Sequence, residues 1–450
     1  MEQVTVPRKY QPYPEYKDTG VEWISEIPAN WATSKLRYMF TCEKGLTITK
    51  ENLRDEGIPC VNYGEVHSKY GFEVDPTQHP LKCVDDSYLK TSADALLHAG
   101  DFVFADTSED IDGSGNFTQL TSEVITFAGY HTIIVRPVDK KNHRFFAYLF
   151  DSKEFRTQIR HAVKGVKVFS ITQAILRGAD IWLPSLAEQR TIAAFLDYET
   201  ARIDKLIAKQ QRLIELLKEK RQAVISHCVS IKAAEGHVKL SYAVNLITGF
   251  PFLSTGFRHE PGDNIPLLRG INVGVDQIKW DEVVYWASDD CEHLKEYFLK
   301  SGDIVFGMDR PWISSGARVA EITSNDTPCL LLQRVARIRT TDSFYQPFIR
   351  LCLSSNEFRA YVEADLTGVS VPHISPDQIK SFYIRNISLE EQRVITDRIL
   401  AKIEKLNAIE KTAFYAIELM QERRTALISA AVTGKIDLRG WTAPTQEAAA

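Results

Sequence analysis

The sequence predicts an α+β chain in which two similar α/β globular domains are separated by two long antiparallel coiled-coil helices, with pseudo-twofold symmetry. Three observations carry that expectation. One stretch occurs twice without a gap, each copy opens a helix with a capping signal and apolar residues at coiled-coil spacing, and β-like runs follow the same order in both halves.

Sliding the chain along itself by 203 positions, the distance from Gln189 to Gln392, lays Ser185-Leu186-Ala187-Glu188-Gln189-Arg190 on Ser388-Leu389-Glu390-Glu391-Gln392-Arg393. Gly165-Val166 then falls on Gly368-Val369, Ile171 on Ile374, and Ser226 and Val229 on Ser429 and Val432. A period this long, seen twice, is too large for a solenoid repeat. It describes two copies of a domain-plus-helix module.

Each copy carries its own helix start. Ser185 with Glu188, and Ser388 with Glu391, have the spacing of a capping box, in which hydroxyl and carboxylate each satisfy an orphan amide of the first turn. Steps of four and three then give Ile192, Leu196, Glu199, Ile203, Leu206, Gln210, Leu213, Leu217, Lys220 and Val224. The second copy gives Ile395, Ile399, Lys402, Leu406, Ile409, Ala413, Ala416, Met420, Arg423 and Leu427. Both helices are expected to end near Val229 and Val432, each roughly 55–60 Å long at 1.5 Å per residue, with Gly434 as the stop of the second. One such helix alone reads equally well as an amphipathic surface helix. Two equivalent stripes in one chain are most simply buried on each other, and polar residues at the same two steps would fix register.

Residues 1–31 are rich in proline and aromatics, with Tyr10, Tyr13, Tyr16, Trp23 and Trp31 around Pro7, Pro12, Pro14 and Pro28. They read as an extended arm that packs by its rings, on its own chain or on a partner. Nothing in the second half corresponds to it. From Leu36 to Leu183, β-like runs at 58–63, 101–104 and 131–136 alternate with Gly- and Asp-rich turns, and a helical piece follows at Arg144 to Ile159. The second half repeats the order at 265–270, 302–306 and 334–338, then a helical Phe348 to Tyr361.

The chain of 450 residues has a net charge of −5 and the apolar and charged fractions of a soluble globular protein. The negative charge disfavours a non-specific nucleic-acid binder without excluding segregated basic residues. No run of eighteen apolar residues and no basic-then-apolar leader occurs, so no membrane association is expected and the default compartment is cytoplasmic. Seven cysteines, none in a C-x-x-C, suggest neither a disulfide framework nor a zinc site.

The sequence resembles the specificity subunits of type I restriction–modification systems. The resemblance rests on Gly20-Val21-Glu22-Trp23-Ile24 with Ile27-Pro28-Ala29-Asn30-Trp31, on the paired Leu-x-Glu-Gln-Arg helix openings, and on Ala431-Val432-Thr433-Gly434-Lys435-Ile436-Asp437. One departure is Leu183-Pro184 before the first helix against Asn386-Ile387 before the second. The resemblance implies an arm and first target-recognition domain at 1–183, a helical spacer at 184–232, a second target-recognition domain at 233–387, a second spacer at 388–440 and a flexible tail at 441–450. It implies a non-catalytic reader of double-stranded DNA, each domain binding one half of a split asymmetric site. The helices would set the gap and dock two methyltransferase (modification) subunits. No cofactor is implied on this chain: S-adenosylmethionine would sit on the modification subunits, and ATP with Mg on two restriction subunits where these join.

Candidate DNA contacts in the first domain are Lys44, Thr47, Thr49 and Lys50 of one loop, Tyr63, Glu65 and His67 after the second β run, then Thr107, Ser108, His131, and the basic turn with Lys164 and Lys167. In the second domain they are Thr248, Arg258, Arg269, Asn272, Asp309, Arg310, Trp312, Gln333, Arg334 and His373. Arg, Asn, Gln, Asp and Glu can read base edges, whereas Lys and Thr more often fix phosphates. Any one of them reads equally well as an exposed polar loop side chain.

Enzyme signatures are missing. There is no Asn/Asp-Pro-Pro-Tyr, no G-x-x-x-x-G-K-[ST] and no H-E-x-x-H. Gly113-Ser114-Gly115 lacks the third glycine of a dinucleotide turn, and Asp101 and Asp303, each after a glycine and before a β run, read as turn residues. The alternative from another class is a coiled-coil adaptor with two protein-binding globular domains.

Overall fold

The computed structural model describes residues 10–139, 141–163, 168–232, 236–365 and 372–444. It divides into two compact units, Met1–Ala208 with Ile417–Ala450, and Lys209–Ala416.

The first unit is built on a five-stranded sheet in the order Phe40–Lys44, Thr132–Pro137, Phe102–Ala105, Phe117–Leu120, Phe72–Val74. Its central strand is apolar at every position because both faces are covered. Phe102 and Phe104 enter the main core with Phe117 and Phe150, while Val103 and Ala105 face a smaller core with Val61 and Leu97. A second sheet runs Cys83–Val84, Ile58–Val61, Thr126–Ala128, Leu96–Leu97. Among the described residues the second unit repeats the plan with fewer strands: Val244–Thr248, Val335–Thr340, Ile304–Gly307, Val319–Glu321, and a three-stranded sheet of Val284–Trp286, Ile265–Leu268, Leu330–Leu331. In each unit the strands of entry and exit pair with each other, Ala32–Lys35 with Asp180–Leu183 and His237–Lys239 with Tyr383–Arg385.

The helix expected at 144–159 is two helices, His143–Asp151 and Lys153–Ala162, because Ser152 Oγ accepts the Phe155 amide at 3.3 Å and starts a new one. Ser355 does the same for Phe358 at 3.1 Å. Asp101 and Asp303 are turn residues: each accepts a backbone amide, of His98 and Lys300, and an arginine, Arg136 and Arg339.

The long helices are Leu186–Val229 and Leu389–Val432, 44 residues each. At 1.5 Å per residue that is about 66 Å, more than the 55–60 Å expected although the ends fall where the sequence placed them. Both boxes form, with Ser185 Oγ and Ser388 Oγ accepting the amides of Glu188 and Glu391 at 3.3 and 3.2 Å and each carboxylate returning to its serine. The helices pack antiparallel: Arg424 meets Asp204 at 3.1 Å within the first unit, and Lys218 meets Glu410 at 4.0 Å within the second.

One of the two heptad positions is corrected by one residue. The steps Leu196, Ile203, Gln210, Leu217 and Leu406, Ala413, Met420, Leu427 are inward, but Leu206, Lys220, Lys402, Ile409 and Arg423 are exposed. The covered residues are instead Ile207, Ile214, Arg221 and Ile403, Glu410, Ile417, Arg424. Ile192 and Glu199 suggested the other choice because they too are buried, in the stretch where the first helix also carries the globular core and the arm. The polar register residues proposed at 199/402 and 220/423 therefore do not form a seam.

The shifted position is occupied by Arg221 and Arg424, 203 residues apart. Arg424 lies over the Phe72 ring at 5.8 Å, whereas Arg221 pairs with Asp276, which Arg350 also holds. Each helix end is tied to its unit in the same places. Trp182 Nε1 donates to Val432 O at 2.5 Å and Ser429 Oγ accepts the Lys153 amide; Arg385 donates to Cys228 O at 2.7 Å and Ser226 Oγ accepts the Asn356 amide.

The arm packs on its own chain. Tyr13, Asn30 and Trp31 donate to the Glu188 carboxylate of the first capping box. Burial acts to raise the Glu188 carboxyl, but hydrogen bonds from Ser185, Asn30 and Trp31 outweigh it and hold it below the ordinary glutamate range. Gly434 stops the second helix at φ +71, and a Cβ there would lie 2.4 Å from Pro28.

Candidate nucleic-acid interface

A five-residue turn, 128–132, gathers the candidates of the first unit. Its backbone receives or supplies a bond at every position. Leu46 donates to Ala128 O, Gly129 to Val61 O, Tyr63 to Tyr130 O, Asp106 to His131 O, and Gly45 to Thr132 O. The approach at Gly45 leaves no room for a side chain, since a Cβ would stand 2.1 Å from Gly129 O. The loop with Thr47, Thr49 and Lys50 thus hangs from one side of the turn, Lys44 ends the strand leading into it, and all four are exposed.

On the other side, Tyr63 and His67 rings lie 5.1 Å apart, and His67 Nε2 meets Ser108 Oγ at 3.3 Å. Burial pushes the Tyr63 phenol up, with Glu109 and Asp110 adding to it, so it stays a neutral donor at pH 7. His131, at φ +54, faces Asp106 at 3.1 Å. Thr107 and Ser108 continue from Asp106 and pair with Ser170 and Phe169. Glu65 points inward: it is buried, accepts the Asn62 amide at 3.2 Å and pairs with Lys69 at 3.2 Å. Lys164 and Lys167 lie outside the described residues.

The second unit has the same turn at 331–335. Phe250 donates to Leu331 O, Leu332 to Leu268 O, Gln333 to Phe250 O, Met308 to Arg334 O, and Gly249 to Val335 O. Arg334, at φ +67, reaches Asp309 at 3.0 Å, and His373 Nδ1 shares that carboxylate at 2.7 Å. Burial opposes the Asp309 charge, yet hydrogen bonds from His373 and Arg334 hold its carboxyl below the usual aspartate range. Arg310 is fixed through its backbone to Pro372 O at 2.7 Å and leaves its side chain exposed beside Trp312, on whose ring Arg359 lies at 5.6 Å. Gln333 is exposed on the turn, and Thr248 ends the strand Val244–Thr248 just before Gly249, which bonds to the turn.

Three candidates stand apart. Asn272 is buried and donates to Lys279 O and Glu282 O, Arg269 donates to Glu282 O at 2.6 Å, and Arg258 sits on the small sheet with Asn264. One residue was missed. Asp106 lies 203 positions before Asp309, as His131 does before Arg334. The repeat offset alone pointed to it, but the surrounding residues differ too much for the match to be seen there.

Residues 28–216 match the type I restriction modification DNA specificity domain. The EcoKI specificity subunit of Escherichia coli K12 is 22% identical over 426 residues, covering 91% of this chain and 90% of its own. Over residues 28–216 the chain thus carries the DNA specificity domain of a type I restriction–modification specificity subunit. Such a subunit is itself non-catalytic and gives its complex its DNA target specificity. The MjaVIII specificity subunit of Methanocaldococcus jannaschii is 27% identical over 310 residues, covering 65% of this chain and 70% of its own. The fold is shared with solved structures. A chain from a type I system solved to explain complex assembly and conformational transition superposes with a TM-score of 0.69 at 16% identity, covering 91% of this chain and 99% of its own. The HsdS subunit of Thermoanaerobacter tengcongensis gives 0.51 at 16% identity, covering 93% and 100%. Among the described residues no helix of the chain is long and apolar enough to cross a membrane.

Proposed function

We propose that the two globular domains, 1–183 and 233–387, each read one half of a bipartite asymmetric DNA site, and that the paired helices set the gap between the halves. Two modification subunits carrying S-adenosylmethionine dock on this frame, with two restriction subunits using ATP and Mg where the complex cleaves, in the cytoplasm. The observation that carries the reading is the duplicated corner. In each domain an aspartate at the end of the central strand, Asp106 or Asp309, holds a cationic or ring side chain, His131 or Arg334, on a turn at positive φ. Fixing such side chains before contact limits the ordering cost of base reading. Divergent residues on equivalent corners suit two different half-sites. Exposed Lys44, Lys50, Thr47 and Thr49 are placed to grip phosphates beside it, and Lys164 and Lys167 belong to the same role.

The test is to assemble the chain with its modification subunit, identify the modified motif in a host methylome, and measure duplex binding. Inserting one heptad into both helices adds about 10.5 Å, or about three base pairs of gap at 3.4 Å each. An unchanged gap refutes the spacing role. Arg310→Ala is expected to weaken binding through the second half-site alone; unchanged affinity and preference remove Arg310 from the interface. Absence of any sequence-selective binding by the assembled complex would favour the adaptor reading.

A further inference from the structure

The two units are not equally finished where their long helices end. In the first, the arm covers the spot. Its hairpin, Tyr16–Val21 with Ile24–Pro28, buries Ile24 and Ile27, and Trp23 packs on His161 with rings 4.8 Å apart. Pro28 and Trp31 press on Gly434, to whose carbonyl Tyr16 donates at 2.9 Å. Beneath this cover Thr433 is 1% exposed, Gln158 is buried, and Glu154 is half-buried against Lys435 at 3.6 Å.

A shift of 203 residues along the repeat, forward from the domain and back from the helix end, gives the same positions in the second unit, and there they stand open. Ile231, in the place of Gly434, is 42% exposed, and Tyr383, in the place of Asp180, is 45% exposed. With Val229, Tyr361, Phe382 and Ile384 they line a cavity of about 340 Å³ whose walls are mostly carbon. Glu357, in the place of Glu154, is exposed. Among the described residues nothing of the chain's own fills this place as the arm does. Seven residues, 230–236, join Val229 to the strand that begins at His237, whereas the covering hairpin alone takes thirteen, 16–28. The one arm of that kind is already committed to the first unit, where Ile27 and Trp31 are buried.

We propose that the cavity seats an arm of the modification subunit, an extended or hairpin segment presenting aromatic, aliphatic or proline side chains, which takes in the second unit the place the chain's own arm holds in the first. This rests on the assembly with modification subunits proposed above. A second copy of the chain is the poorer occupant, because lending its arm would uncover its own core. Burying apolar side chains in a preformed carbon-lined recess supplies affinity at little ordering cost.

The experiment uses the full chain and its cognate modification subunit. A photo-crosslinking phenylalanine in place of Tyr361 is expected to join the modification subunit, with the crosslink mapping to a proline- or aromatic-bearing peptide. Ile231→Glu is expected to weaken association at least tenfold, whereas Tyr242→Glu, at a residue 73% exposed elsewhere in the unit, leaves it unchanged. Circular dichroism verifies that both variants are folded. Normal association with no crosslink and no loss in Ile231→Glu overturns the proposal while leaving the assembly intact, and a crosslink between two copies overturns it as well. Failure of the unaltered chain to associate at all overturns the assembly reading along with it.

Discussion

Replacing Gly434 by alanine tests whether the arm is locked to the end of the second helix. Two costs arise at that position. The residue sits at φ +71, where a Cβ is disfavoured by about 1–2 kcal/mol. The new carbon would also lie 2.4 Å from two ring carbons of Pro28, far inside contact distance, an overpacking that typically costs about 1–3 kcal/mol. Gly20 separates the two terms, since it has φ +65 but no atom within 4 Å of an added Cβ. Thus Gly20→Ala should cost about 1–2 kcal/mol and Gly434→Ala about 3 kcal/mol or more. At roughly 2–4 °C per kcal/mol for a unit of this size, Gly434→Ala should lower the melting temperature by roughly 6–12 °C. Differential scanning calorimetry reads the shift, and a trypsin time course reads release of the arm at Lys17. Equal shifts in the two variants, with no faster cleavage, would refute the packing of Pro28 on the helix end.

Other consequences are open to direct measurement. Glu188→Gln keeps the shape of the cap but loses the charge that Ser185, Asn30 and Trp31 favour, so it should cost about 1–2 kcal/mol at neutral pH. Because the folded carboxyl lies below its ordinary 4.5, that stability is present above this value and lost as pH falls through the folded pKa. Denaturation curves of the variant and the parent should therefore converge in acid; a constant gap would contradict the assignment. Asp276→Asn leaves Arg221 and Arg350 facing each other without their shared carboxylate, which should destabilise the second unit by about 2 kcal/mol, an effect that salt diminishes. Urea titrations at low and high salt check it, and a salt-independent loss would point to packing instead. Asp309→Asn frees Arg334 and His373, and at about 1–3 kcal/mol for a well-held base contact the second half-site should bind roughly 5–150-fold more weakly. Competition between duplexes altered in one half at a time measures this, and equal losses at both halves would argue against a local role.

The long helices were legible because their signals are local and repeated: a serine three residues before a glutamate, then apolar residues at fixed steps. Which second heptad position faces inward was not legible. Ile192 and Glu199 are buried for a reason unrelated to the helix pair, and one apolar stripe cannot announce how many neighbours it has. The breaks at Ser152 and Ser355 were hidden by apolar residues on both sides, although a serine three residues before a phenylalanine amide is the cap that makes them. The corner residues were found by their chemistry, yet their grouping depends on the backbone bonds of 128–132 and 331–335, which join segments distant in sequence. Asp106 went unnoticed for that reason, and Glu65 gave no sign that its carboxylate would turn inward.

The strands by which the chain enters and leaves each globular domain are hydrogen-bonded neighbours, Ala32–Lys35 beside Asp180–Leu183 and His237–Lys239 beside Tyr383–Arg385. A domain whose two ends lie one strand apart can be cut out and another grafted in through a single seam of four or fewer residue pairs, without disturbing the helices that hold it. The arginines at 221 and 424 are suited to the same economy, since a guanidinium accepts a ring or a carboxylate from whatever is installed against it. Selection for new targets is thereby free to work on interchangeable cassettes, while the chassis that carries them is inherited unaltered.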